Sequence, residues 1–222
     1  MNSIKKRIAT ALVLVTGILV GGAASATPVT MDFDGLTPGV SVDNYYDGGC
    51  SKLLGMDVDC GGPDYGVVWN GADVRDLDAN QPSDPNFIVP TGPGGFLTAA
   101  ATLDIADGFD TGLSFYYTTV FGGHIEVYSG LDGSGSSLAQ MDLPGPDVQC
   151  GDVPCWDFVD LSFSGLAKSV VFSGFLGAIG FDNVTLGAQV NAVPEPAALA
   201  MFGLGLLLMG MFAGMRKRAR QN

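Results

Sequence analysis

From Thr27 to Val190 the chain holds no run long enough for an amphipathic helix. Its repeat is the two-residue alternation of half-buried strands, cut at intervals of roughly 8–15 residues by turn-forming residues. "VTMDFDG" sets Val29, Met31 and Phe33 on one face and Thr30, Asp32 and Asp34 on the other. "GLSFYYTTV" points Leu113, Phe115 and Tyr117 inward, and "GHIEVYSG" does the same with Ile125 and Val127. In "WDFVDLSFSG", Val159, Leu161 and Phe163 alternate with Phe158, Asp160 and Ser162. "YGVVWNGA", "GGFLTAAATLDIA", "LAQMDL", "AKSVVFSG" and "AIGFDNVTLG" supply the other elements, and "SGLDGSGSSL" reads as a hairpin turn. About eight to ten short strands of this kind predict an all-β fold, an antiparallel β-sandwich of jelly-roll type over residues 27–190. The segment from Asp43 to Gly95 reads as irregular. In "IGFDNVTL" the parity breaks between Phe181 and Val184, which predicts a bulge at Asp182 and Asn183.

The two ends have another character. Lys5, Lys6 and Arg7 precede an apolar core from Ile8 to Val20, and Ala24-Ser25-Ala26 offers small residues for cleavage. That is the anatomy of an export signal over residues 1–26, cut after Ala26. Residues 191–222 begin with Pro194-Glu195-Pro196, run without a charge from about Ala197 to Met215, and close on Arg216-Lys217-Arg218. Nineteen residues at ~1.5 Å each span about 28 Å, the thickness of a bilayer's hydrocarbon core. The basic cluster predicts a cytoplasmic C-terminus with the rest of the chain outside. Seven of the ten basic residues sit in these two ends. Between Thr27 and Pro194, Lys52, Arg75 and Lys168 face 22 acidic residues, a net charge of −19. Such a field repels nucleic-acid phosphates, which excludes that partner class.

The triplet, apolar helix and basic cluster together resemble the PEP-CTERM sorting signal. The resemblance implies an exported protein of a Gram-negative bacterium, anchored as an inner-membrane precursor. It implies processing by an exosortase near Pro194-Glu195-Pro196, then delivery to the cell envelope or extracellular matrix beside exopolysaccharide. Two prolines keep the triplet extended and open to a peptidase. The order of "LSF", "VYSGLDGSG" and "FDNVTL" also resembles β-sandwich ectodomains carried by PEP-CTERM proteins and, more generally, carbohydrate-binding jelly rolls. That second resemblance implies a structural calcium held by acids of the first and last strands, here Asp32 or Asp34 with Asp182.

Export permits disulfides. Cys50, Cys60, Cys150 and Cys155 allow three pairings. Cys50 with Cys60 and Cys150 with Cys155 close the shortest loops. With His124 the sole histidine and no Cys-x-x-Cys spacing, zinc is not expected. Sugar binding needs exposed aromatic rings beside amides or carboxylates. Tyr45, Tyr46, Tyr65, Trp69 and Trp156 are the candidates. No nucleophile elbow, zincin helix or phosphate loop is present, and His124 falls on a solvent-facing strand position. These features favour a non-catalytic domain that binds or structures exopolysaccharide. The competing class is a glycosidase-like enzyme, which needs two opposed carboxylates across a cleft.

Overall fold

The computed structural model describes residues 28–76, 81–145, 149–150 and 153–187. The expected export signal and the expected apolar helix of the tail lie outside these residues. Among the described residues there is no helix, and sixteen strands follow in order. They are β1 (Val29–Met31), β2 (Cys50–Leu53), β3 (Met56–Cys60), β4 (Val67–Asn70), β5 (Ala72–Arg75), β6 (Phe87–Pro90), β7 (Gly92–Pro93) and β8 (Thr98–Phe109). Then come β9 (Gly112–Thr119), β10 (Gly123–Tyr128), β11 (Ser137–Leu143), β12 (Gln149–Cys150), β13 (Val153–Pro154), β14 (Asp157–Ser162), β15 (Ala167–Phe175) and β16 (Ile179–Leu186).

Every pairing is antiparallel. Sheet I runs β14-β9-β16-β6-β5, with β1 added to β16. Sheet II runs β11-β10-β15-β8-β4, with β7 on β8. The alternation read from the sequence sets the interior. Leu113, Phe115 and Tyr117 of β9, Ile125 and Val127 of β10, and Phe172 of β15 are all buried. Phe115 and Phe181 of sheet I meet Phe172 of sheet II edge-on, with ring centroids 5.1–5.8 Å apart. Each buried ring of this size contributes roughly 1.5–3 kcal/mol by leaving water.

The predicted bulge is present. Strand β16 shifts register against β9 between Asp182 and Thr185, and Asn183 takes a positive φ of 49°. The bulge keeps Phe181 and Val184 both in the core. It also divides the other edge of β16 between β6, opposite Phe181, and β1, opposite Val184 to Leu186.

The segment from Asp43 to Gly95 is more ordered than the sequence suggests. It supplies six strands, β2 to β7, four of which complete the sheets. The β2–β3 pair is bonded through Cys50–Cys60, as the short spacing predicts. Cys155 is also disulfide-bonded. The Cys150 side chain lies outside the described residues.

Candidate functional site

On the outer face of sheet I, strand β9 turns out Ser114, Tyr116 and Thr118 between its core residues. Beside them β14 turns out Phe158 and Asp160, and β16 turns out Asp182. Register sets Phe158 opposite Tyr116, and Tyr116 opposite Asp182. The Tyr116 and Phe158 rings lie 5.1 Å apart, and Phe158 is 57% exposed. A second pair stands beside them, Phe87 against Trp156 at 5.4 Å. Gly180 makes room for Phe87, because a Cβ there would come within 2.8 Å of its ring.

Asp182 is fully buried although it points away from the core. The segment before β6 covers it. The Ser83 amide donates to Oδ2 at 3.0 Å, and the Ser83 hydroxyl reaches both carboxylate oxygens at 3.0 and 3.1 Å. The Asn183 amide donates to Oδ1 at 2.7 Å. Burial raises the Asp182 carboxyl to about 6, the negative charge of Asp34 adds to this, and the Ser83 and Asn183 donors only partly oppose it.

Asp34 neighbours this group. It accepts the Asn86 amide at 3.1 Å, and burial with the charges of Asp32 and Asp84 pushes its carboxyl upward. Asn86 is buried and donates its side-chain N–H groups to the carbonyls of Phe33, Asp34 and Leu36. Its Oδ1 has no hydrogen-bond partner. Asp32, Asp34 and Asp182 lie in one neighbourhood. The Asp182 carboxylate, however, is already surrounded by N–H and O–H donors. Among the described residues no three His, Cys, Asp or Glu side chains are disposed to share a metal ion.

The aromatic candidates divide. Trp69 and Tyr46, expected to face a ligand, are 2% and 3% exposed. Trp69 packs between Phe33 and Phe172, and the Tyr46 hydroxyl accepts the Phe33 amide at 2.9 Å. Both are core residues, because the segment they lie in folds back over the sandwich. Tyr45 is half-buried against Tyr46, and Tyr65 is exposed and stacks on Tyr46. Trp156 is half-buried and belongs to the face of sheet I. Ser83, Asn86, Tyr116 and Phe158 were not singled out as site residues. The available signal was an aromatic at the outward parity of "FYY" and "DFVD".

His124, on the outer face of sheet II, is partly exposed, as its parity predicts. Its Nδ1 lies 2.7 Å from Asp142.

Comparison with known proteins decides the nature of the tail. Residues 192–218 are a PEP-CTERM protein-sorting motif. The motif marks an exported protein with a membrane-anchored precursor. No curated protein matches the chain. Among solved structures, a mutant of a family 29 carbohydrate binding module aligns at 13% identity and TM-score 0.42, covering 77% of this chain and 99% of its own. A family 6 carbohydrate-binding module aligns at 17% identity and TM-score 0.35, covering 53% and 84%. The K1 cleaved adhesin domain of Lys-gingipain from Porphyromonas gingivalis W83 aligns at 17% identity and TM-score 0.41, covering 74% and 99%. At these scores the ligand has to be argued from this chain's own residues.

Proposed function

We propose that this PEP-CTERM chain is a surface or matrix protein of a Gram-negative bacterium. An exosortase processes it near Pro194-Glu195-Pro196, and it reaches the cell envelope or extracellular matrix as a non-catalytic β-sandwich that binds or structures exopolysaccharide. The sorting motif at residues 192–218 carries the processing half of this reading. The pair of exposed Phe158 on half-buried Tyr116, with Trp156 and Asp160 on the same face, supports the binding half. Flat rings suit the apolar faces of sugar rings, and flanking carboxylates suit their hydroxyls.

A glycosidase reading needs an accessible acid. Asp182 has the raised carboxyl that a general acid requires, but Ser83 seals it from solvent. This supports the binding role. A calcium at Asp32, Asp34 and Asp182 is a further proposal, encouraged by the unpaired Oδ1 of Asn86. It would require Asp182 to exchange its Ser83 donors for the ion. A melting scan with calcium and with chelator checks it, and an unchanged midpoint removes it.

The decisive experiment localises tagged protein in cells with and without the exosortase gene. A shorter, released form only in the cells that keep the gene is the expected result. Identical processing in both strains overturns the reading.

A further inference from the structure

The outer face of sheet I carries a carboxylate beside its aromatic pair. Strand β14 sets Asp160 two positions from Phe158, so both project from the same side, about 7 Å apart along the strand. Register places Ser114 opposite Asp160 and Tyr116 opposite Phe158. The carboxylate and the rings therefore fall within the span of one substituted sugar ring. The Asp160 side chain is half-buried, and its enclosed Oδ1 has no hydrogen-bond partner among the described residues. A carboxylate oxygen taken out of water without a donor is costly, so this one is disposed to accept a donor from a ligand.

The surrounding charge tells which donor fits. Strands β14, β9 and β16 contain no lysine or arginine. The three basic residues between Thr27 and Pro194 stand elsewhere. Lys52 holds Asp57 within the β2–β3 pair, Arg75 lies 3.6 Å from Asp73 on β5, and Lys168 belongs to β15 of sheet II. In the order of sheet I, β5 is at the opposite end from β14. A polymer of uronic acids would bring its carboxylates to this spot without a counter-charge, against a domain of net charge −19. A neutral sugar offers hydroxyls but gains nothing from that field. An ammonium gains in three ways. The field of the domain attracts it, Asp160 gives it a charge-assisted hydrogen bond, and an aromatic face beside it adds a cation–π contact. A sugar with a free amine combines that ammonium with an apolar ring face for Phe158.

We propose that the polymer taken by the face of sheet I is rich in amino sugars with free amines, and that Asp160 is the group that selects the ammonium. This rests on the exopolysaccharide reading of the face and names the class of sugar.

The test titrates full-length protein in detergent with three oligosaccharides of equal length: an oligomer of glucosamine, the same oligomer fully N-acetylated, and an oligogalacturonate. Calorimetry at a mildly acidic pH, where the amines are charged, reads the affinities. The glucosamine oligomer should bind at least about tenfold tighter than its acetylated form, and the oligogalacturonate should not bind. Asp160→Asn keeps the shape of the side chain and should bring the first two within about twofold of each other. Asp142→Asn removes the same charge from the exposed side of sheet II and should preserve the gap. Phe158→Ala should weaken both oligomers by at least about fivefold. Circular dichroism shows whether each variant keeps its β-structure, and the order of the three oligomers on the unaltered protein tests the proposal without any variant. If the acetylated oligomer binds as tightly as the free amine and still depends on Phe158, the amino-sugar inference is overturned while the polysaccharide reading stands. Loss of the gap in Asp142→Asn as much as in Asp160→Asn also overturns it, because the attraction then belongs to the charge of the whole domain. If Phe158→Ala leaves every affinity unchanged, the polysaccharide reading of this face falls with it.

Discussion

The two outer faces of the sandwich solve one problem differently. Each carries an aspartate on an outward strand position, and each hides it under a loop. On sheet I, Asp182 lies beneath Ser83, with Tyr116 opposite it in register and the Phe87 ring nearby. On sheet II, Asp104 takes the Asp132 amide at 2.7 Å and the Asn70 side chain at 3.0 Å. Buried Ser169 fastens that loop, accepting the Gly133 amide and donating to the Gly130 carbonyl. Elsewhere sheet II shows polar groups: His124 with Asp142, and Tyr128 donating to Glu126 at 2.5 Å. The loop on sheet II closes a polar face, whereas the cover on sheet I seals a charge beside aromatic rings. Among the described residues, sheet I alone therefore combines a partly exposed aromatic pair with a strongly perturbed carboxyl.

The largest consequence is in pH. The folded protein holds the Asp182 proton more tightly than the unfolded chain does, about 6 against 3.8. The stability this gives is fully present below about pH 4 and is lost as pH rises through about 6. Its size is on the order of 2–3 kcal/mol. Asp34 and Asp104 are raised in the same direction, chiefly by burial. At Asp59 burial acts upward, but its hydrogen-bond donors, the Thr37 amide first and then the Ser51 and Thr37 hydroxyls, outweigh it. Glu126 is lowered chiefly by the Tyr128 hydroxyl. Both of these groups act the opposite way and lose stability only as pH falls through their depressed values. Denaturant melts at pH 4 and 7 should show the fall, and Asp182→Asn should remove most of it. If Asp104→Asn removes more, the contrast between the faces is wrong.

The covers themselves come next. Ser169→Ala leaves a part-buried amide and a part-buried carbonyl without their Ser169 partner, and should destabilise by about 1–3 kcal/mol. Ser83→Ala keeps the Ser83 amide on Asp182 and should cost nearer ~1 kcal/mol. Urea unfolding at pH 7 compares them, and equal losses would mean that the two loops are fastened alike.

Much of this contrast was legible in the sequence. Strict alternation in "GLSFYYTTV" and "GHIEVYSG" placed the core faces of β9 and β10, and the parity break in "IGFDNVTL" placed the bulge. What stayed hidden depends on contacts distant in the chain. "FIVP" of β6 is buried along its whole length, so it shows no alternation to read. Tyr46 looks like a loop aromatic and Trp69 like a ligand-facing strand residue until Phe33, which precedes them by more than ten residues, is packed between them. Asp182 gains its character from Ser83, 99 residues earlier. The calcium site at Asp32 or Asp34 with Asp182 is implied by the resemblance to carbohydrate-binding jelly rolls, which does not tell what already occupies their oxygens.

The smallest effect on stability should accompany the clearest effect on binding. Phe158 is exposed on an outer strand, so Phe158→Ala should change stability by no more than about 0.5 kcal/mol. If the face of sheet I binds exopolysaccharide, the same change should weaken that binding by at least about fivefold, since the ring forms half of the Tyr116 pair. His124→Ala, on the opposite face, should leave binding unchanged. Tryptophan fluorescence during polysaccharide titration reads this directly. Trp156 lies half-buried on sheet I, while Trp69 is sealed in the core and should not respond. Equal losses from Phe158→Ala and His124→Ala would show that the polymer does not distinguish the two faces. A normal response from Phe158→Ala would move the binding site off sheet I altogether.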